Sequence, residues 1–206
     1  MLRKAENFGE ITGITAIIIG CGMGTSKKAE ELFFKTLYMQ GIPLIIDADA
    51  LNLVAKNPNF VPILQEYAGN KVLTPHPAEA ARLLNKATST ILENPIAAAL
   101  DLTKKFSAWV VLKGHQSIIT NPSGKFFKND SGNASLATAG TGDVLAGMIG
   151  GLVASGIEFQ NSIISAVWLH GATAEFLSNG LPKAGLLASE LAKNASDLRH
   201  QAMFYE

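Results

Sequence analysis

One cysteine, Cys21, is all that this 206-residue chain contains, so no internal disulfide can form and a reducing, cytoplasmic setting is expected. Charge of either sign is not in excess: 17 Lys and Arg cancel 17 Asp and Glu. Without a basic field there is nothing to gather nucleic acid or an anionic membrane, and any anion must be held by local groups. Long hydrophobic runs are missing too. The early run from Ile14 to Ile19 is too short to span a bilayer and lacks a signal-peptide arrangement, so neither membrane insertion nor export is expected. The 4 histidines are scattered and do not make zinc spacing with the single cysteine. No protein-held metal is expected, and a bound metal would be magnesium carried with phosphates.

What is present is apolar and periodic. With 48% hydrophobic residues the chain can bury a sizeable core, and no linker, repeat or low-complexity tract divides it, so residues 1–206 read as one domain. Ile14 to Gly20, Ile42 to Asp47, Lys71 to Thr74 and Trp109 to Lys113 read as buried strands. Lys27 to Gln40, Pro77 to Asn85 and Asn94 to Phe106 read as helices between them. That alternation predicts an α/β fold, a mostly parallel sheet covered by helices on both faces. An antiparallel pair, Ser117 to Thr120 and Lys125 to Phe127, is expected around the turn signal Asn121-Pro122-Ser123-Gly124. Helices over Asp143 to Ser155, Gln160 to Ser178 and Gly185 to Tyr205 close the chain.

The densest signal lies from Asn133 to Gly156, where small residues and glycines run into one acid, Asp143, at the start of an apolar helix. Ala139, Gly140, Thr141 and Gly142 let the backbone approach a ligand and leave N–H groups free at a helix N-terminus, an anion hole for phosphate oxygens. A carboxylate repels such a ligand unless it has work to do, such as taking a proton from an attacking hydroxyl. A helix cap packed on a sheet by its glycines is the plainer alternative.

Other polar signals fall at the carboxyl ends of the strands, where ligands bind in such sheets. They are Gly20-Cys21-Gly22-Met23-Gly24, Asp47-Ala48-Asp49-Ala50-Leu51-Asn52, Thr74-Pro75-His76-Pro77-Ala78-Glu79 and Lys113-Gly114. Taken singly, His76 could be a helix-start histidine with a backbone partner, and Lys113 a surface residue at a strand exit. Asp47 could bond nearby backbone N–H groups or contact a ligand or metal-bound water. Cys21 reads as a small buried filler and His170 as a satisfied core histidine. Met23, Met148, Phe33 and Phe34 read as core and gap filling.

Together GCGMG, DADALN, LTPHPAEAARLL, VVLKG and GNASLATAGTGDVLAGMIGGL, in this order and spacing, resemble the ADP/ATP-dependent NAD(P)H-hydrate dehydratases, a branch of the ribokinase-like superfamily. The resemblance implies Asp143 as catalytic base near the hydrated nicotinamide, with Gly22 and His76 contacting that substrate. It implies Lys113, Gly114, His115, Gln116, Ser117 and Gly142 at ADP or ATP, Asp47 and Asn133 in support, and Mg2+ with the nucleotide. Cys21 stands where the family often has proline, and Ala78 where it often has glycine. Implied partners are hydrated NADH or NADPH and a second copy of the chain in a homo-oligomer. The implied reaction is phosphorylation of the ring hydroxyl followed by loss of phosphate. A small-molecule alcohol kinase, or a nucleotide-binding fragment without turnover, would use the same anion hole.

Family members ordinarily place more of the sheet and a glycine-rich loop before the GxGxG strand, so the chain is expected to lack an N-terminal portion. An epimerase domain ahead of it in the same polypeptide is one arrangement the resemblance allows. Residues outside the chain are expected to cover Ile14 to Ile19 and complete the substrate pocket.

Overall fold

Six short strands form a single sheet in the order β1-β2-β3-β4-β5-β6 in this computed structural model, which describes residues 11–179 and 186–204. The first four, β1 (Ile17–Ile19), β2 (Leu44–Ile46), β3 (Lys71–Leu73) and β4 (Trp109–Leu112), are parallel neighbours. The last two, β5 (Ile118–Thr120) and β6 (Phe126–Lys128), run antiparallel as expected. Their turn is held by Asn121, whose side chain accepts the Lys125 N–H at 2.9 Å. The strands are shorter than the apolar runs that signalled them.

The pleat divides the sheet's side chains between two cores. Ile17, Ile19, Leu44, Ile46, Leu73, Val110 and Leu112 face one side with Phe33, Leu102 and Phe106. Ile45, Val72, Val111 and Ile119 face the other with Leu145, Ile149 and Ile163. The first side is covered by α1 (Lys27–Leu37), α2 (Ala48–Lys56), α3 (Phe60–Glu66), α4 (Pro77–Leu84), α5 (Thr88–Glu93) and α6 (Pro95–Phe106). The second is covered by α7 (Thr141–Ala154) and α8 (Phe159–Leu177), with α9 (Ala188–Phe204) packed outside them. Truncating a fully buried residue such as Leu102 to alanine costs about 2–5 kcal/mol. A Cβ on Gly150 would stand 2.5 Å from Ile18 Cδ1, so glycine there lets α7 lie directly on the first strands. Among the described residues β1 ends the sheet, and Ile18 is 42% exposed beside Gly150.

Three helices depart from the expectation. Asp47 to Asn52 is not a strand-end loop, because α2 starts at once at Ala48, which takes a left-handed φ of +47° to turn the corner. Only glycine and asparagine normally signal such a turn, and alanine gives no warning. The short helices α3 and α5 carry too few periodic positions to stand out. Phe33 is fully buried, but Phe34 is 41% exposed and packs its ring on Tyr38 instead of filling the core. The expected start of the last helix at Gly185 and its end at Tyr205 lie outside the described residues. Among the described residues no helix is long and apolar enough to cross a membrane.

Candidate active site

The ends of β1 and β2 meet at very close range. Gly20 has φ +119°, and a Cβ on it would stand 1.8 Å from the Asp47 carbonyl, so only glycine fits. Asp47 is 1% exposed, and its Oδ1 accepts a hydrogen bond from Lys113 Nζ at 2.8 Å, from the end of β4. A buried carboxylate needs such a partner. The Asp47 side chain therefore meets an ammonium rather than the backbone N–H groups of its own loop. Lys113 is fixed in turn by its own N–H, which donates to the Pro75 carbonyl at 2.9 Å.

The ammonium sits over the start of α7. A Cβ on Gly142 would lie 3.2 Å from Lys113 Nζ and 3.7 Å from Asp47 Oδ2. Gly140 caps the helix with φ +87°. Thr141 donates its hydroxyl to the carbonyls of Leu136 and Thr138, and its N–H reaches Thr138 at 3.4 Å. Among the described residues, the N–H groups of Ala139, Gly140, Gly142 and Asp143 meet no such acceptor. Open N–H groups, the positive end of the helix and the Lys113 charge together form an anion-binding corner.

Asp143 projects from the first turn of α7 and is exposed. Its carboxylate, that of Asp47 and Cys21 Sγ approach within 4.8 Å of one another. Cys21 is exposed at this point and is not a buried filler. Loss of water around it, then its hydrogen bond to Asp143 and the charges of both carboxylates, push the thiol up to about 12. It is a protonated donor toward Asp143, not a nucleophile. As a donor set for magnesium these groups are poor on their own: a thiol suits soft cations, and Asp47 is taken by Lys113.

A cavity of about 510 Å3 opens beside this corner. Lys113, Gly114, His115 and Ser117 line it from the β4–β5 connection, and Thr141 and Gly142 line it from α7. Gln116 faces a neighbouring space of about 290 Å3 that shares Lys113, Gly114 and His115. Asn133 also lines the larger cavity; its Oδ1 accepts from the Ser135 N–H and its Nδ2 donates to Ser178 Oγ. Gly22, with φ +61°, leaves open space where a side chain would stand.

His76 sits at the cavity rim as the N-cap of α4. Its Nδ1 accepts the Ala78 N–H at 3.1 Å, while Glu79 accepts the His76 N–H at 2.8 Å. The proton is therefore on Nε2, 3.5 Å from Glu79 Oε1. Partial burial holds His76 below the usual histidine range, against the pull of Glu79. His170, read as a core histidine, is buried as expected, yet it also lines the cavity, with Nε2 2.9 Å from the Thr141 carbonyl. Its place on an apolar helix hid that second role.

Residues 2–196 match the family model described as NAD(P)H-hydrate dehydratase. The chain is 40% identical over 204 residues to the ADP-dependent (S)-NAD(P)H-hydrate dehydratase of Neisseria meningitidis serogroup B, covering 98% of this chain and 68% of that enzyme. It is 35% identical to the bifunctional NAD(P)H-hydrate repair enzyme of Coxiella burnetii, over 88% of this chain and 36% of that one. The chain thus spans about two thirds of the first relative and about a third of the second. The crystal structure of the ADP/ATP-dependent NAD(P)H-hydrate dehydratase of Bacillus subtilis, co-crystallized with ATP/Mg2+ and soaked with CoA, superimposes with a TM-score of 0.80. The two are 31% identical over 91% of this chain and 66% of that one. A ribokinase-like superfamily protein of Enterococcus faecalis gives a TM-score of 0.78 at 28% identity, over 91% of this chain and 63% of its own. The ribokinase-like sheet, the anion-binding corner and these matches lead to one conclusion: the chain belongs to the NAD(P)H-hydrate dehydratase family.

Proposed function

We propose that this site dehydrates hydrated NADH and NADPH at the expense of ADP or ATP, a repair reaction of the lyase type. The observation that carries the reading is the meeting, at one helix start, of an accessible carboxylate with an anion-binding corner: Asp143 beside the Gly142 N–H and Lys113 Nζ. Asp143 takes the proton of the ring hydroxyl as that oxygen attacks the terminal phosphorus of the nucleotide. The bond from that phosphorus to the bridging oxygen breaks, and the shortened nucleotide leaves. The phosphate ester then departs as inorganic phosphate, its C–O bond cleaved with help from the electron pair on the ring nitrogen, and the neighbouring ring carbon gives up a proton, so that the C=C bond of NADH or NADPH is restored. Charge on the transferred group spreads over its outer oxygens, which is where the open N–H groups and Lys113 act; one such donor supplies about 3 kcal/mol. Magnesium enters as the nucleotide's counter-ion.

In this reading Gly114, His115, Gln116 and Ser117 follow the nucleotide along the β4–β5 connection. His76 and Gly22 receive the dinucleotide, with His76 Nε2–H as the donor. Ala139, Gly140 and Thr141 shape the anion hole, and Asp47 and Asn133 support it. The chain acts as one domain in the cytoplasm, within a homo-oligomer, and an epimerase domain in the same polypeptide would supply the epimer this site consumes. Support for the substrate comes from the activities of the relatives, and for the chemistry from the Asp143 corner. Incubating the protein with hydrated NADH, MgADP or MgATP and following the return of NADH absorbance tests it. Recovery that needs a nucleotide is the expected result. A protein that phosphorylates an alcohol without restoring NADH is a kinase instead.

A further inference from the structure

The Thr141 carbonyl and the Gly142 N–H belong to the same peptide unit, so they lie in one plane and point in opposite directions. Whatever fixes the carbonyl fixes the N–H. Behind that peptide stands His170, 8% exposed, its Nε2 2.9 Å from the Thr141 carbonyl. A carbonyl only accepts, so His170 carries its proton on Nε2 and donates it. Burial, which outweighs that hydrogen bond, lowers its pKa to about 4 and keeps the ring neutral near pH 7. Donation to the carbonyl also polarises the peptide and makes its N–H a better donor on the other side.

The rest of α8 grips the loop that leads to this peptide. A Cβ on Gly171 would lie 2.3 Å from Ser131 Oγ and 2.6 Å from the Ser131 backbone, so the loop packs flush against the helix. Ser131 Oγ donates to the Trp168 carbonyl, Glu175 accepts the Gly132 N–H at 2.7 Å, and Asn133 reaches Ser178. His170 is the member of this row that reaches the start of α7 itself.

We propose that His170 is a positioning residue for nucleotide binding: through the Thr141–Gly142 peptide it aims the Gly142 N–H at the phosphate. This rests on the reading that nucleotide phosphates occupy the α7 N-terminus. His170→Leu leaves the Thr141 carbonyl with its helical partner alone and removes the donor that holds the peptide from behind. The long amide of His170→Gln can still donate, whereas His170→Asn is too short to reach.

The test is calorimetric titration of each folded variant with MgADP, beside steady-state kinetics for both substrates. The expected result is about tenfold weaker MgADP binding in His170→Leu and His170→Asn, recovery to within about threefold in His170→Gln, and an unchanged KM for hydrated NADH. Asn against Gln keeps the comparison decisive should His170→Leu fail to fold. If the parent binds MgADP and His170→Asn matches it, or if Gln binds as poorly as Asn, the inference is overturned while the nucleotide reading stands. A parent that binds neither MgADP nor MgATP overturns both.

Discussion

Two walls of the same cavity are built on different principles. The strand-end wall presents side chains, Lys113 and His76, each held by a buried carboxylate behind it, Asp47 and Glu79. The α7 wall presents backbone: the N–H group of Gly142, whose peptide is held from behind by α8. Side chains on the first wall can be exchanged one at a time, and each exchange is felt by its buried partner. On the second, the binding groups cannot be mutated at all, and their direction is set by residues that need never touch the ligand. Cys21, Asp143 and Lys113 lie on the seam, which is where a proton and a phosphoryl group would be handled together.

The largest effect should come from the seam. Asp143→Asn is expected to keep the fold and MgADP affinity while turnover falls by about a hundredfold or more, the scale of general-base catalysis. Turnover within about threefold of the parent would remove Asp143 from the chemistry and leave the two walls with no shared centre.

The strand-end wall should then divide by ligand. Lys113→Ala is expected to weaken MgADP or MgATP more than hydrated NADH, and His76→Ala the reverse. Lys113→Ala also strands the Asp47 carboxylate, 1% exposed, and should lower folding stability by about 3 kcal/mol. Pairing it with Asp47→Asn should recover much of that loss. Equal weakening of both ligands by either variant would dissolve the division of labour.

On the α7 wall the signature is in pH. Burial is the main reason that His170 resists protonation down to about pH 4, with the Lys113 charge helping and the Thr141 hydrogen bond opposing. The unfolded chain takes up that proton near pH 6.5, so stability is full above 6.5 and falls as the pH drops toward 4. Between pH 6.5 and 5 the loss should be on the order of 2 kcal/mol in denaturant unfolding, and His170→Gln should lack that part of it. Parallel losses in the two proteins would show that His170 does not carry this share.

The smallest effect belongs to Cys21. A thiol is a weak donor, so Cys21→Ala should change turnover by no more than about threefold. A tenfold loss would make the thiol's bond to Asp143 part of how the base is held.

The same contrast explains what could be read in advance. Parallel strands, the hairpin at Asn121 and the glycine-rich start of α7 carry signals in their own residues, and they were legible. So were Asp47, His76 and Lys113, since three strand ends put polar groups where apolar runs stop. The ion pair between Asp47 and Lys113 was not, because 66 residues separate them and only the sheet order brings them together. His170 sits in an apolar helix whose composition argues for core, and nothing local tells that Thr141 lies opposite. Cys21 between two glycines has the pattern of a filler, and nothing local tells that it lies exposed beside Asp143.

The most direct measurement of the account is a stoichiometric one: NADH recovered and nucleotide consumed, counted in the same reaction on hydrated NADH. Coupled chemistry at Asp143 predicts one nucleotide hydrolysed and one inorganic phosphate released for each NADH restored, with neither event in Asp143→Asn above about a hundredth of the parent rate. NADH restored without nucleotide consumption, or nucleotide consumed with the phosphate kept on an alcohol, would contradict it.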